Sequence, residues 1–243
     1  MKSEKLGLRI VETAAVGAAA LASYTFLLRP RHLRWGATDE EIDEVLPGDE
    51  IVSQPKHVAT HAITINAPAR DVWPWLVQVG QTRGGFYSYT WLENLVGCDM
   101  HNADHIVPEW QTLRVGDVVW LHPQAPPLPV SLVEPYRAIV LGSNGSNQPT
   151  NGAPGVASAG TWGFYLKEAD ETTTRLILRV RWDRKPGLFN WLANYGLLEP
   201  AHFVMERKMM LGIKQRAERA VALPIQSPLP ASNEQEPAAA HTS

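Results

Sequence analysis

Residues 161–184 read TWGFYLKEADETTTRLILRVRWDR, and the fold turns on how this stretch is read. Thr161–Glu168 and Thr174–Arg184 are dense in aromatic, leucine and β-branched side chains, which suit a pleated, half-buried surface. Asp170-Glu171-Thr172-Thr173 lies between them and supplies the turn of an antiparallel hairpin. Upstream, Asp117–His122, Val130–Glu134 and Arg137–Leu141 carry the same strand texture. Val58–Ile65, earlier still, alternates apolar with polar or small residues and predicts another strand. Downstream, Glu199-Pro200 reads as N-cap and N1 of a helix that continues to about Ala220. His202, Met205, Met209 and Ile213 fall at i, i+3, i+7 and i+11 on one face of it. Gly212 beside that face permits close backbone approach.

Two helices separate the first strand from the others. The pattern from Arg70 to Val79, opened by Pro68, has Val72, Trp75, Leu76 and Val79 as its apolar stripe. Pro74 falls near its first turn, where proline is tolerated best. Ser88–Val96 predicts a second helix, with Trp91, Leu92 and Leu95 apolar and Gly97 as its stop. The order is strand, two helices, five strands, long helix. A run of consecutive strands predicts an α+β fold with an antiparallel sheet of about six strands, one face covered by the terminal helix. A sheet gripping a helix leaves a cavity between them, a common place for small molecules.

Composition bounds the function. The 243 residues are 44% apolar and 19% charged, with a formal net charge of −3. That charge excludes a broadly basic nucleic-acid binder, and the apolar content excludes a wholly disordered chain. Cys98 stands alone, which excludes an internal disulfide and a cysteine-based zinc cluster.

Residues 1–35 carry six Lys/Arg and two Glu, with an uncharged run from Thr13 to Leu28. Three readings compete: a membrane anchor, a signal peptide cleaved near Ala20-Leu21-Ala22, and a packed alanine-rich helix. The anchor leads, and Arg29, Arg31 and Arg34 then favour a membrane-associated chain with its main domain in the cytoplasm. Residues 36–57 read as an acidic linker. Thr38-Asp39-Glu40-Glu41 has capping-box spacing, and Asp39–Glu50 holds seven acids and no base, the pattern of a solvated face. Residues 58–223 form the main domain. Gly142–Gly160 is a loop by composition, and its Asn144-Gly145-Ser146 is formally a glycosylation triplet. Residues 224–243, rich in Pro, Ala, Ser and Glu, read as a disordered tail.

This order resembles the helix-grip fold of the START-like (SRPBCC) superfamily, which includes polyketide cyclase/dehydrase and lipid-transport proteins. Ile65-Asn66-Ala67-Pro68 followed by Val72-Trp73 looks like the superfamily's opening strand and helix. A closer resemblance, over roughly Leu33 to Ala220, is to a bacterial group of START-like proteins with hydrophobic N-terminal segments. It rests on Arg34–Glu41, Gly84–Tyr89, Trp91–Asn94, Ile106–Gln111 and Glu199–Arg207. The resemblance implies a curved sheet wrapped around the C-terminal helix and a hydrophobic ligand or lipid. It implies no particular activity, because fold alone does not carry function.

Tyr87–Gln111 concentrates the candidate chemistry. His101 with Asp104, or His105 with Glu109, would suit acid–base work in a ring-closing or dehydration step, the enzymatic alternative. Cys98, His101 and His105 have ligand-compatible spacing, but there is no second cysteine and no H-E-x-x-H, so no metal is expected. Neither G-x-G-x-x-G nor G-K-[ST] occurs, and no cofactor is implied. The candidate pocket lining is Tyr87, Trp91, Glu93, Trp110, Trp120, Trp162 and Trp182, together with His202, Met205 and Met209 on the long helix. Methionine suits an adaptable apolar wall, and a polar group such as His202 on an apolar face needs a partner if buried. Ligand binding leads over catalysis.

Overall fold

Strand residues alternate between faces, and in the last strand both faces are claimed. In the computed structural model, which describes residues 15–17, 19–20, 22–145, 159–183 and 199–222, the elements in chain order are α1 (Arg29–His32), α2 (Asp39–Asp43), β1 (His57–Ile65), α3 (Ala69–Val77), α4 (Thr90–Leu95), β2 (Val118–Val119), β3 (Leu128–Glu134), β4 (Ala138–Ser143), β5 (Gly160–Asp170), β6 (Thr173–Trp182) and α5 (Glu199–Ala222). The six strands form one antiparallel sheet in the order β1-β6-β5-β4-β3-β2. The expected hairpin is β5–β6, paired from Gly160↔Trp182 to Asp170↔Thr173. β1 closes the other side of β6, from His57↔Trp182 to Ile65↔Thr174.

On one face of β6, Leu176, Leu178 and Val180 join the main core. That core contains Met209, Met210, Ile213 and Ala217 of α5 and Val72, Trp75 and Leu76 of α3. On the other face, Ile177 packs with Leu46, Ala62, Val140 and Tyr165 in a second cluster. Arg175, Arg179 and Arg181 share that second face by the period of two. Arg179 is only 2% exposed. A buried guanidinium keeps its charge and must be paired. Arg179 donates to Asp49 Oδ2 at 2.7 Å and to the carbonyls of Glu41, Ile42 and Glu44 at 2.6, 3.0 and 2.7 Å. Arg181 reaches the other Asp49 oxygen at 3.4 Å and donates to the Val52 carbonyl at 2.9 Å. Arg175 donates to both Glu41 oxygens, at 2.7 and 2.9 Å. The acidic stretch expected as a solvated linker face is therefore strapped across the sheet, because its acids are the counter-charges of β6. Its capping box forms as expected: Thr38 Oγ1 accepts from the Glu41 amide at 3.2 Å, and Glu41 Oε2 accepts from the Thr38 amide at 2.8 Å.

Two elements are shorter than their sequence pattern. The strand expected over Asp117–His122 shrinks to Val118–Val119, since Pro123, Pro126 and Pro127 beyond it remove ladder donors. The helix expected over Ser88–Val96 covers Thr90–Leu95, because the Ser88 carbonyl is taken by the Asn102 side chain at 3.1 Å.

At the N-terminus, Arg29 donates to Glu199 at 2.8 and 3.0 Å, His32 Nε2 stands 3.0 Å from the same carboxyl, and the Tyr24 hydroxyl is 3.3 Å away. Tyr24–His32 thus fastens the first residue of α5. Among the described residues, no helix is long and apolar enough to cross a membrane, so the expected spanning anchor has no support there. Residues 1–14, 18 and 21 of that segment lie outside the described residues. The same is true of 146–158 in the Gly142–Gly160 loop, which includes Ser146 of the glycosylation triplet, and of the 224–243 tail.

α5 seats closely because of Gly212. A Cβ built there would meet the Tyr87 carbonyl oxygen at 2.4 Å. Gly212→Ala is expected to lower unfolding stability by about 2 kcal/mol or more, read by urea denaturation. Asp49→Ala leaves Arg179 buried without its counter-ion and is expected to cost about 3 kcal/mol in the same assay.

Candidate functional site

A cavity of about 180 Å³ lies between the sheet and the N-terminal part of α5. Val180 and Trp182 of β6, Trp162 of β5 and Leu128 of β3 form the sheet wall. His202, Met205, Glu206 and Met209 form the helix wall. Phe86, Ser88, Glu93, Cys98 and Leu121 close the third side. The walls are mostly apolar, which makes the two carboxyls the notable groups.

Glu93 sits in the first turn of α4 and is 1% exposed. Both its side-chain oxygens are buried with no hydrogen-bond partner among the described residues. Burial alone pushes its pKa up to about 7, because the ionised form has lost water and gained nothing in return. The Cys98 thiol beside it is pushed up by burial and then by the Glu93 charge, so it is no activated nucleophile.

Glu206, 3% exposed, is the opposite case. Its Oε1 accepts from Trp162 Nε1 at 3.0 Å, and its Oε2 stands 3.1 Å from His61 Nδ1. His202 Nε2 is 3.8 Å away at the cavity mouth. Burial raises this carboxyl, but His202, His61 and Trp162 outweigh it and hold it below the ordinary carboxylate range. His61 in turn donates from Nε2 to the His32 carbonyl at 2.8 Å. Neither His61 nor Glu206 is among the candidates that the sequence pattern marks out. Glu206 lies at i−3 from Met209, so helical spacing alone placed it on the core face; nothing in the sequence linked it to His61.

Of the residues expected to line a pocket, Glu93, Trp162, Trp182, His202, Met205 and Met209 do surround the cavity. Four do not. Tyr87 is core, its hydroxyl donating to the Trp75 carbonyl at 3.1 Å. Trp91 is 69% exposed on the outer side of α4. Trp110 lies in the 3-10 turn Pro108–Trp110, and Trp120 follows β2 with its carbonyl accepting from the Gln81 amide at 2.8 Å. The helix stripe is also rotated. Met209 and Ile213 are buried as expected, but Glu206 and Met210 complete the buried face, while the His202 side chain is 56% exposed.

The structure does not bring His101, Asp104 and His105 to the cavity. His105 Nδ1 is 2.7 Å from Asp104, and His101 Nδ1 is 3.9 Å from Asp99, all four side chains facing solvent. Such pairs are screened by water and have no enclosed substrate position beside them. Two side-chain amides hold this loop instead, one half-buried and one fully buried. Asn102 accepts from the Tyr87 amide at 2.7 Å and donates to Thr90 Oγ1 at 2.9 Å. Gln78, fully buried, donates to the His105 carbonyl and accepts from the Val107 amide, both at 3.1 Å. These pegs fix the wall that carries Glu93. Among the described residues, no group of three or more His, Cys, Asp or Glu is arranged to hold a metal ion.

No protein-family model matches the chain, and no curated protein matches it. Among solved structures, it is similar to a protein from Mesorhizobium loti at 14% identity, covering 67% of this chain and 98% of that one with a TM-score of 0.40. It is similar to the Aha1 dimer from Colwellia psychrerythraea at 14% identity, 65% and 98% coverage and a TM-score of 0.36. It is also similar to a point mutant of norcoclaurine synthase from Thalictrum at 12% identity, 66% and 96% coverage and a TM-score of 0.37. At this identity and overlap, neither fold nor function is inferred from them.

The Glu93 carboxyl gives a pH signature. The unfolded chain releases its proton near 4.5, the folded protein near 7. Between those values the folded state binds more protons, so stability falls as pH rises through the window. Glu93→Gln, neutral throughout, is expected to match the wild type near pH 4.5. It should exceed it by about 3 kcal/mol at pH 8, the linkage equivalent of a carboxyl moved from 4.5 to about 7. Urea midpoints at the two pH values check this.

Proposed function

We propose that the protein binds a small, largely apolar molecule in the cavity between the sheet and α5. The observation that supports this is the combination of an apolar chamber with a buried carboxyl in its wall that has no partner among the described residues. A native core pairs its buried polar groups, and an unpaired carboxyl beside open space is a group kept for a ligand. The START-like resemblance of the sequence points the same way, as an analogy of fold. Size favours a compact ligand: an engineered cavity of about 150 Å³ accepts benzene, and drug-sized pockets begin near 300 Å³. A volume of about 180 Å³ suits one or two rings or a short branched chain, not a whole lipid. The cyclase or dehydratase reading based on His101, Asp104 and His105 loses its geometric basis, because those groups lie in solvent.

A ligand that binds the folded state raises the unfolding free energy by about 2.7 kcal/mol at a hundred times its Kd. Melting the full chain with one- and two-ring apolar compounds is therefore expected to raise Tm with at least one of them. Met205→Trp, which fills the chamber, is expected to abolish that rise. A panel giving no shift at saturating solubility, or a shift unchanged in Met205→Trp, would overturn the binding reading.

A further inference from the structure

We infer that the ligand of this pocket is a cation, a compact apolar molecule bearing a protonated amine that is received by Glu93. This rests on the binding reading above and adds the chemistry of the polar end. Both Glu93 oxygens are buried and without a partner among the described residues, so the lone pairs of a carboxylate stand open to a donor. The other charged groups facing the chamber come from α5: Glu206, a second acid, and His202 at the mouth, with the Cys98 thiol on the loop side. Glu206 is already met by Trp162 and His61, which leaves Glu93 as the acid without a counter-charge. Among the described residues no lysine or arginine lines the chamber. An entering carboxylate or phosphate would face two carboxyls in a low-dielectric setting, where like charges repel strongly. An ammonium finds the reverse. Phe86, Trp162 and Trp182 add aromatic surface, and ring faces attract cations once water is excluded.

A protonated amine seated on Glu93 stabilises the ionised carboxyl that burial disfavours. The empty site holds its proton up to about pH 7, so amine binding expels that proton and tightens as pH rises from 6 to 8. An uncharged ligand of the same shape shows no such gain.

The test compares four benzyl-sized probes on the full chain: benzylamine, its uncharged isostere ethylbenzene, benzyl alcohol and phenylacetate. Quenching of tryptophan fluorescence, with Trp162 and Trp182 in the wall, gives the affinities. At pH 8 benzylamine is expected to bind about tenfold tighter than ethylbenzene, and phenylacetate weakest of the four. In Glu93→Gln the ratio of benzylamine to ethylbenzene affinity is expected to fall to about one; being a ratio on one variant, it is insensitive to loss of folded protein. Ethylbenzene binding with no advantage for benzylamine, benzyl alcohol binding tightest, or an amine advantage that survives Glu93→Gln each overturns the cation assignment and leaves the binding reading intact. If none of the four binds, the binding reading falls and the cation assignment with it.

Discussion

A guanidinium keeps its charge, and that of Arg179 sits on β6, between β1 and β5, with almost no access to water. Much of the architecture follows from that constraint. Asp49 supplies the counter-ion, three carbonyls between Glu41 and Glu44 accept from the two terminal nitrogens, and Thr60 Oγ1 accepts from Nε. The segment from Thr38 to Val52 must therefore cross the outer face of β6 and β5, where it also covers Ile177, Val140 and Tyr165. With that face sealed by the strap, α2 included, over a small apolar cluster, the inner face is left for α3 and α5. The sheet becomes the middle layer of three, and β6 is buried on both sides.

On the inner face the spacing between layers varies along α5. Near Gly212 the helix backbone lies against the Tyr87 carbonyl, so the layers touch. Two to three turns earlier, Met205 and His202 line the cavity. α5 is held at both places: by close backbone contact in the middle, and by Arg29, His32 and Tyr24 at Glu199.

The two buried carboxyls show how environment divides one chemistry into two roles. Glu206 is answered by an indole and two imidazoles and serves the packing of helix against sheet. Glu93 is answered by nothing within the described structure and keeps its hydrogen-bonding capacity for something else. An unpaired buried acid costs stability, a cost proteins tend to carry at sites with a task.

The alternation in β5 and β6, the helical period of α3 and α5, the Thr38 capping box and the glycine at 212 are local patterns, and the sequence alone determined them. They were enough for the α+β class, the antiparallel hairpin and the cavity between sheet and helix, because periods of two and 3.6 fix which side chains share a face. Trp162, Trp182, Met205 and Met209 could be assigned to one chamber on that ground. The partners of charged groups belong to the tertiary structure. Asp49 meets Arg179 across 130 residues of chain and Glu206 meets His61 across 145, and no local period links such pairs. The same limit sent Trp91 outward and Tyr87 into the core, and left His101, Asp104 and His105 in solvent, since short irregular loops have no repeating face. That Glu93 would be left without a partner among the described residues was decided by the packing around it, not by any local pattern.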